Sequence, residues 1–423
     1  MGLATTGTAM RSMHRIQLEP RRVRLIAALT IVLAAASTTA APAAAQESNF
    51  ALTSAPPPPL ASGWTITPAM VFQGAWDDNA LLRGNGDEAP GDFISLLNPR
   101  GDVNFLGRRG QFDASYDGSF VLYRDLNGLN SYDQHGSVSA RRLITRHVTL
   151  WGRNTFVTVP TTELLNFIAV PFVRTGSKLD DLSAGFDAAL DKFTSVTAAY
   201  NFQWVKFDAS GPVGTFFLRG GHSNGATFTL KRALSERLSL IGGYSFQYAQ
   251  LVNGGTFNIQ NGDAGVEYRL SDHMRAFGAA GISRLSLSEL GPPRTGPAWR
   301  GGLTRTFRSA NLDVTFSRSY VPAFGFGGTY QNEELAGHVS APIGRRIYVR
   351  SSVARRSNEP LENTGLSLKS IWVEGAFGYA LQPWAHLEAF YSGAHQTIDA
   401  LGIVYSRNRI GFQIVTAKPM RVR

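Results

Sequence analysis

The sequence predicts an all-β protein, a transmembrane antiparallel up-and-down β-barrel of about 18 strands of the bacterial outer-membrane type. Three observations lead to this prediction. Polar and apolar residues alternate over long runs, a short turn motif recurs eight times, and no stretch after residue 45 has the roughly 18 uncharged apolar residues of a membrane helix. The 423 residues include 43% hydrophobic residues and no cysteine, which excludes disordered proteins, disulfide scaffolds and thiolate metal sites.

The first 45 residues have the composition of a secretory signal. Three arginines within residues 21–24 precede an uncharged run at residues 25–36, and small residues follow up to Ala45. This order predicts cleavage before Gln46. A membrane anchor is the alternative, but the second half of the stretch is only weakly hydrophobic. Without this segment the chain carries a net charge of +6, too small for a nucleic-acid footprint, so we expect no nucleic-acid partner.

A linker, a barrel and a short tail are expected after the signal. Residues 46–63 contain four consecutive prolines, which favour an extended polyproline II spacer. The alternating pattern assigns residues 64–415 to the barrel. Residues 416–423 continue past the last predicted strand and contain Pro419, so we expect a C-terminal extension there.

The alternation has the period and the length of membrane-spanning strands. Phe112, Tyr116 and Phe120 fall on one face, whereas Asp113 and Asp117 fall on the other. Soluble strands average about 5 to 6 residues, but a tilted spanning strand needs about 9 to 11. Runs of spanning length occur at residues 111–123, 196–204 and 238–248.

The recurring turn sets the strand count. The turn motif consists of an apolar residue, a few polar residues and then a new alternating run. It recurs with spacings of 36 to 47 residues, at Arg108, Thr145, Lys192, Glu236, Asp272, Ser309, Arg345 and Pro383. Longer loops rich in Gly, Asn and Pro alternate with these turns, as in outer-membrane barrels. Eight turns link sixteen strands, and residues 64–76 and 402–415 add a first and a last strand. A β-propeller repeats at a similar period but needs four turns per repeat, whereas this chain offers two.

Three segments resemble a known family. They are WTITPAMVFQGAWDDN at residues 64–79, DFISLLNPRGDVNF at 92–105 and DQHGS at 133–137. Residues 64–415 resemble the β-barrel porins that are linked to exopolysaccharide loci. The resemblance implies an outer-membrane channel for small hydrophilic solutes, or the outer-membrane conduit of polysaccharide export. The implied partners are outer-membrane lipids, the barrel assembly machinery, and polysaccharide or export-complex components.

Charged residues on the polar faces are candidates for lining the lumen. A ring of arginines would favour anions, but the same side chains could instead pair across strands. Arg305 and Arg318 fall on the lipid side under the same phasing, and we attribute this to phase errors at bulges. The lumen candidates are Arg153, Arg300, Arg350, Arg409, Asp113, Asp117 and Glu374.

The longest loop, residues 160–180, contains a strongly apolar stretch. Such a loop is unfavourable in water, so it could fold into the lumen as a constriction. It could equally extend the neighbouring strands above the membrane. Phe167, Phe172 and Arg174 are the candidate constriction residues.

Motifs for catalysis are missing from the sequence. It has no H-E-x-x-H and no phosphate-binding loop, and we expect no enzyme activity, metal or cofactor. Ser392 and His395 lie close together in the sequence, and a hydrolase could in principle use such a pair. The alternative function is a non-conducting surface barrel whose loops bind a partner.

Overall fold

A computed structural model describes residues 62–85, 88–162, 170, 172–208, 218–252, 255–287, 293–306, 310–361 and 365–422. The expected signal, most of the linker and Phe167 lie outside these residues. No helix in the described part is long and apolar enough to cross a membrane.

Eighteen long antiparallel strands make up the described part of the chain, with one short strand after them. The strands are β1 (Gly63–Asp77), β2 (Asp92–Leu106), β3 (Gly110–Tyr123), β4 (Ser131–Leu143), β5 (Val148–Val159), β6 (Ser177–Ala189), β7 (Thr194–Phe207), β8 (Gly221–Ala233), β9 (Leu238–Leu251), β10 (Thr256–Ser271), β11 (Met274–Leu287), β12 (Arg294–Thr306), β13 (Asn311–Pro322), β14 (Thr329–Pro342), β15 (Ile347–Pro360), β16 (Leu368–Gln382), β17 (Ala385–Ile398), β18 (Ile403–Ala417) and β19 (Met420–Val422).

The sheet closes on itself, because β1 pairs with both β2 and β18. Every consecutive pair from β1 to β18 is antiparallel, which confirms the predicted 18-strand up-and-down barrel. The predicted turn markers fall between β2 and β3, β4 and β5, and so on around one rim, although Ser309 lies outside the described residues. This short-turn rim also carries the start of β1 and the end of β18, and the longer loops form the opposite rim.

The C-terminal residues continue the sheet. The last strand runs to Ala417, two residues beyond the predicted barrel boundary, and β19 then pairs with Trp64–Ile66 of β1. Between them Pro68 supplies a carbonyl that accepts from the amide of Lys418 at 3.2 Å. Because β1 extends farther toward this rim than β18 does, the resumed strand pairs backbone groups that β18 leaves uncovered.

Alternation along each strand gives the barrel an apolar outer face. Tyr200 is exposed on that face beside Phe202, whereas Asn201 and Gln203 point inward and hydrogen-bond to β6. The outer face carries exposed aromatic side chains all around the barrel, among them Phe72, Trp76, Tyr116, Phe120, Phe228, Tyr244, Phe316, Phe377 and Phe412. A closed barrel with such a surface satisfies its backbone groups in lipid, so this is an outer-membrane protein.

Candidate channel lumen

All seven residues predicted to line the lumen lie on the inward faces of their strands. Residues that contact the inserted loops described below face inward. The strand register then shows which residues of the other strands share that inward face. On this face lie Asp113 and Asp117 of β3, Arg153 of β5, Arg300 of β12, Arg350 of β15, Glu374 of β16 and Arg409 of β18.

Arg300 forms a bidentate ion pair across an intervening strand. Its guanidinium donates to both carboxylate oxygens of Asp263 on β10, at 2.8 and 3.1 Å. The intervening strand β11 presents only Ala279 and Gly281 at this level, opposite Arg300 and Asp263 respectively. Because β11 carries only small residues at this level, the Arg300 guanidinium reaches across it to the Asp263 carboxylate on the lumen side of the wall.

Arg350 repeats this arrangement on the part of the wall formed by β15–β17. It donates to Glu388 of β17 at 2.5 Å, and β16 presents Ala376 and Gly378 between them. Glu388 is fully buried, and it also accepts from the Tyr348 hydroxyl and from Gln413, the latter at 2.5 Å. Three donors, one of them an arginine, satisfy this buried carboxylate, so the Arg350–Glu388 pair contributes little net charge to the lumen.

Arg409 belongs to a buried charge cluster at the long-loop end. It donates to Asp77 of β1 at 3.0 Å, and the neighbouring Arg407 donates to the same carboxylate at 2.7 Å. Asp77 has no exposed surface. Two guanidinium groups on one carboxylate join β1 to β18 at the seam where the barrel closes.

The remaining lumen candidates are polar wall residues. Asp117 accepts from the His135 ring at 3.1 Å, while Asp113 and Glu374 accept from neighbouring hydroxyl or amide groups. Arg153 lies between serines of β4 and β6, and no described residue forms an ion pair with it.

The inward charges are thus largely neutralised by pairing. Acidic side chains on this face are about as frequent as basic ones, and three of the four predicted arginines have a carboxylate partner. This arrangement corresponds to pairing across strands, one of the two alternatives that the sequence left open.

Arg318 faces outward without any error of phase, so the explanation by a bulge was wrong. Its register opposite Trp299 is continuous with the rest of β12 and β13. The guanidinium lies 4.5 Å from the Trp299 ring centroid, 3.2 Å from Glu333 and 2.8 Å from Gln331. An arginine tolerates the outer face here because a carboxylate, an amide and an aromatic ring satisfy it.

The β5–β6 loop enters the lumen. Val170, Phe172 and Val173 are almost fully buried, and Gln396 of β17 holds the loop backbone. The Gln396 side chain accepts from the Phe172 amide at 2.7 Å and donates to the Val170 carbonyl at 3.0 Å. The ring of Phe172 also packs edge-on against Trp372 of β16, with centroids 5.4 Å apart.

Arg174 ties the same loop to β3 and to the loops beside it. Its guanidinium donates to the carbonyls of Ala80 and Leu129 and to the hydroxyl of Tyr123, at 3.1, 2.8 and 3.2 Å. The described residues of the loop are therefore anchored on β17 and near β1–β3 at once, so they lie inside the lumen instead of extending the strands outward.

A second inserted segment was missed by the sequence analysis. The β13–β14 connection, residues 323–328, is one of the longer loops that the sequence predicts between the short turns. Gly325 instead exchanges two backbone hydrogen bonds with Arg219, at 2.7 and 2.9 Å, and its α-carbon faces Val170. The amide of Tyr320 bonds to Ser283 of β11, which draws this hairpin inward. Apolar residues mixed with three glycines just before the start of β14 were the available signal.

Apolar clusters therefore fill the long-loop half of the lumen, where the alternation predicted a polar inward face. Inward residues of β5–β7 and β9–β11 pack on the two inserted segments, and inward residues of β14–β18 do so from the other side. We call these the lumen clusters. The first includes Val157, Leu179, Val205, Phe257, Ile259, Leu285, Val170 and Phe324, and the second includes Leu368, Trp372, Ile398, Tyr405, Phe172 and Ala323.

The pair considered for catalysis does not come together. Ser392 lies on the inward face of β17 opposite Arg409, and His395 lies on the outward face opposite Ser406. Residues three apart in a strand point to opposite sides, so the register prevents a nucleophile and base contact.

No protein-family model matches this sequence, and no curated protein sequence matches it. Solved structures do resemble the barrel. OpdL of Pseudomonas aeruginosa is 11% identical over 84% of this chain and 99% of its own, with a TM-score of 0.43. OpdO of the same species is 11% identical over 85% and 98%, with a TM-score of 0.46. OccAB4 of Acinetobacter baumannii is 7% identical over 85% and 99%, with a TM-score of 0.45. The closed 18-strand barrel of this chain is an antiparallel up-and-down β-barrel of the outer-membrane type.

Proposed function

We propose that this protein is an outer-membrane channel for small hydrophilic solutes, narrowed at its long-loop half by the two inserted segments. The observation that carries the proposal is the polar inward face of the short-turn half. There Arg300 and Asp263 keep 34% and 19% of their side-chain surface exposed, and Lys231 and Glu267 keep 39% and 26%. Ion pairs with this much accessible surface fit a water-filled space, because burying them away from water would be unfavourable.

The inserted segments argue against a conduit for a polymer. Val170, Phe172 and Phe324 occupy the lumen at the long-loop half, and each is at most 4% exposed. An extended polysaccharide would have to displace all of this packing, which stabilises each side chain by about 1.5 to 3 kcal/mol. A small solute needs only a path beside the segments.

A non-conducting surface barrel is the second candidate. The lumen clusters favour it, because dry apolar packing on two walls can close a barrel completely. In that case the exposed parts of the long loops would bind a partner.

Liposome swelling and planar-bilayer recordings test the two functions. We expect the full-length mature barrel to conduct ions and to admit small sugars while excluding oligosaccharides. A matched variant replaces residues 323–328 by a two-residue turn and should conduct more. If the wild-type barrel neither conducts nor admits sugars, and only the shortened variant does, the native barrel is closed and the second candidate is correct.

A further inference from the structure

The turns of the short-turn rim repeat one rigid geometry. In four of them the amides of the first and second turn residues both donate to the carbonyl of the fifth residue. The four begin at Ile144, Leu190, Leu234 and Ile343, and their bonds are 2.8 to 3.4 Å long. In three, the second residue is Thr145, Asp191 or Ser235, and its side chain caps the following amides. These turns therefore hold their exposed side chains in fixed positions.

Each of these turns presents an apolar side chain toward the lipid. The first residue continues the outward row of its preceding strand, so it points away from the barrel axis. Ile144, Leu190, Leu234 and Ile343 are 49% to 66% exposed, which is high for aliphatic side chains. The hydrocarbon edge of the adjacent leaflet would cover these side chains.

A basic side chain follows each apolar one. The third or fourth turn positions hold Arg146, Lys192, Arg237, and the pair Arg345 and Arg346, all of them exposed. No ion pair joins these five to another described residue. The four turns contain two acids, Asp191 and Glu236, against five basic residues. The Asp191 carboxylate accepts from the amides of Phe193 and Thr194 in its own turn.

We propose that these four turns bind anionic phospholipid headgroups of the periplasmic leaflet. Short turns lie on the periplasmic side of outer-membrane barrels, level with that leaflet's headgroups. A lipid with acyl chains and a phosphate matches an outward aliphatic residue beside a basic one. An acidic soluble protein would satisfy the basic residues, but it would leave four aliphatic side chains pointing away from it into the membrane.

The proposal concerns the barrel perimeter and holds whether or not the lumen conducts. Spin-labelled lipids, in liposomes that contain the full-length mature barrel, measure directly how much of each lipid associates with the barrel perimeter. The ratio of perimeter association of phosphatidylglycerol to that of phosphatidylcholine should be about two to five for the wild type. In 1 M salt, where the Debye length is about 3 Å, it should fall toward one.

Two matched variants locate the effect. The rim variant carries Gln in place of Arg146, Lys192, Arg237, Arg345 and Arg346. The control removes five outward basic residues from the long-loop half, with Gln in place of Lys178, Lys206, Arg284, Arg355 and Lys369. The rim variant should lose most of the preference and the control should keep it.

A wild-type ratio near one would overturn the proposal, and so would an equal loss in both variants, which would indicate general charge attraction. Heat-modifiable migration checks that each variant is folded. If the rim variant does not fold, the double variant Arg345→Gln/Arg346→Gln takes its place and should show a partial loss. An unchanged ratio in that variant would also contradict the proposal.

Discussion

Replacing Gln396 by alanine should loosen the inserted β5–β6 loop and raise the conductance of the barrel. Gln396 is 2% exposed and satisfies the Phe172 amide and the Val170 carbonyl, which are both buried. Alanine leaves these two backbone groups without a partner. Each unsatisfied buried group costs about 1 to 3 kcal/mol, so the inserted state loses about 2 to 6 kcal/mol relative to an open one.

The loop should open more often without being released entirely. Water that enters the space left by the side chain will partly satisfy the two groups, so the lower end of the range applies. Burial of Val170, Phe172 and Val173 still contributes about 1.5 to 3 kcal/mol each. A loss of about 2 kcal/mol raises the open population about 30-fold, since 1.4 kcal/mol corresponds to a factor of ten.

Single-channel recording and limited proteolysis of the loop provide the assay. We expect a higher mean conductance, more frequent transitions and faster cleavage within residues 160–176. Gln247→Ala is the control, because Gln247 bonds within the wall to Ser223 and, among the described residues, bonds to no loop. Conductance and cleavage equal to wild type in Gln396→Ala would refute the view that this side chain holds the loop.

A carboxyl side chain at the same position gives a pH-dependent version of this experiment. In the variant Gln396→Glu, the ionised carboxylate can accept from the Phe172 amide but cannot donate to the Val170 carbonyl. Protonation restores a donor, so the variant should resemble wild type at low pH and the alanine variant at high pH. Burial disfavours the charged carboxylate, which places the transition above the ordinary range for glutamate. The conductance of the wild-type barrel should show no such transition with pH.

Three further predictions concern the wall. Phe202→Arg should destabilise the barrel by about 2 to 4 kcal/mol in urea refolding, whereas Gln203→Arg on the inward face should not, and equal losses would contradict the assigned faces. Asp263→Asn should free Arg300 and shift reversal potentials in a KCl gradient toward chloride, and an unchanged potential would show that this pair lies off the ion path. Gly325→Ala should lower the thermal midpoint, because φ is +88° there and a Cβ would lie 2.9 Å from the Val170 side chain; a midpoint equal to wild type would contradict the observed packing.

Strand number and strand faces followed from the sequence because both are local properties. A two-residue period fixes which side chains share a face, and short turns force neighbouring strands to pair. The inward positions of Asn201 and Gln203 follow from this rule alone, as does the separation of Ser392 from His395. Even the outward position of Arg318 was given by the alternation.

The charge pairs were within reach of the sequence but were not found there. Arg300 and Asp263 are 37 residues apart, and Arg350 and Glu388 are 38 apart. These separations match the turn repeat, which brings every second strand to the same height. The carboxylate partner of each arginine lies one turn repeat away in the sequence, and small residues occupy the strand between the two. Such a partner is not found among the sequence neighbours of the arginine.

The destination of the long loops was decided only by the tertiary structure. Alternation predicts which side chains face inward, but it does not say whether water or another part of the chain covers them. Phe172 meets Gln396 across 224 residues of sequence, and Arg174 meets Ala80 across 94. Such contacts exist only once the barrel has closed, because closure brings distant walls within reach of one loop. The sequence therefore determined a membrane barrel with a defined inside and outside, and the packing of the closed barrel determined what fills it.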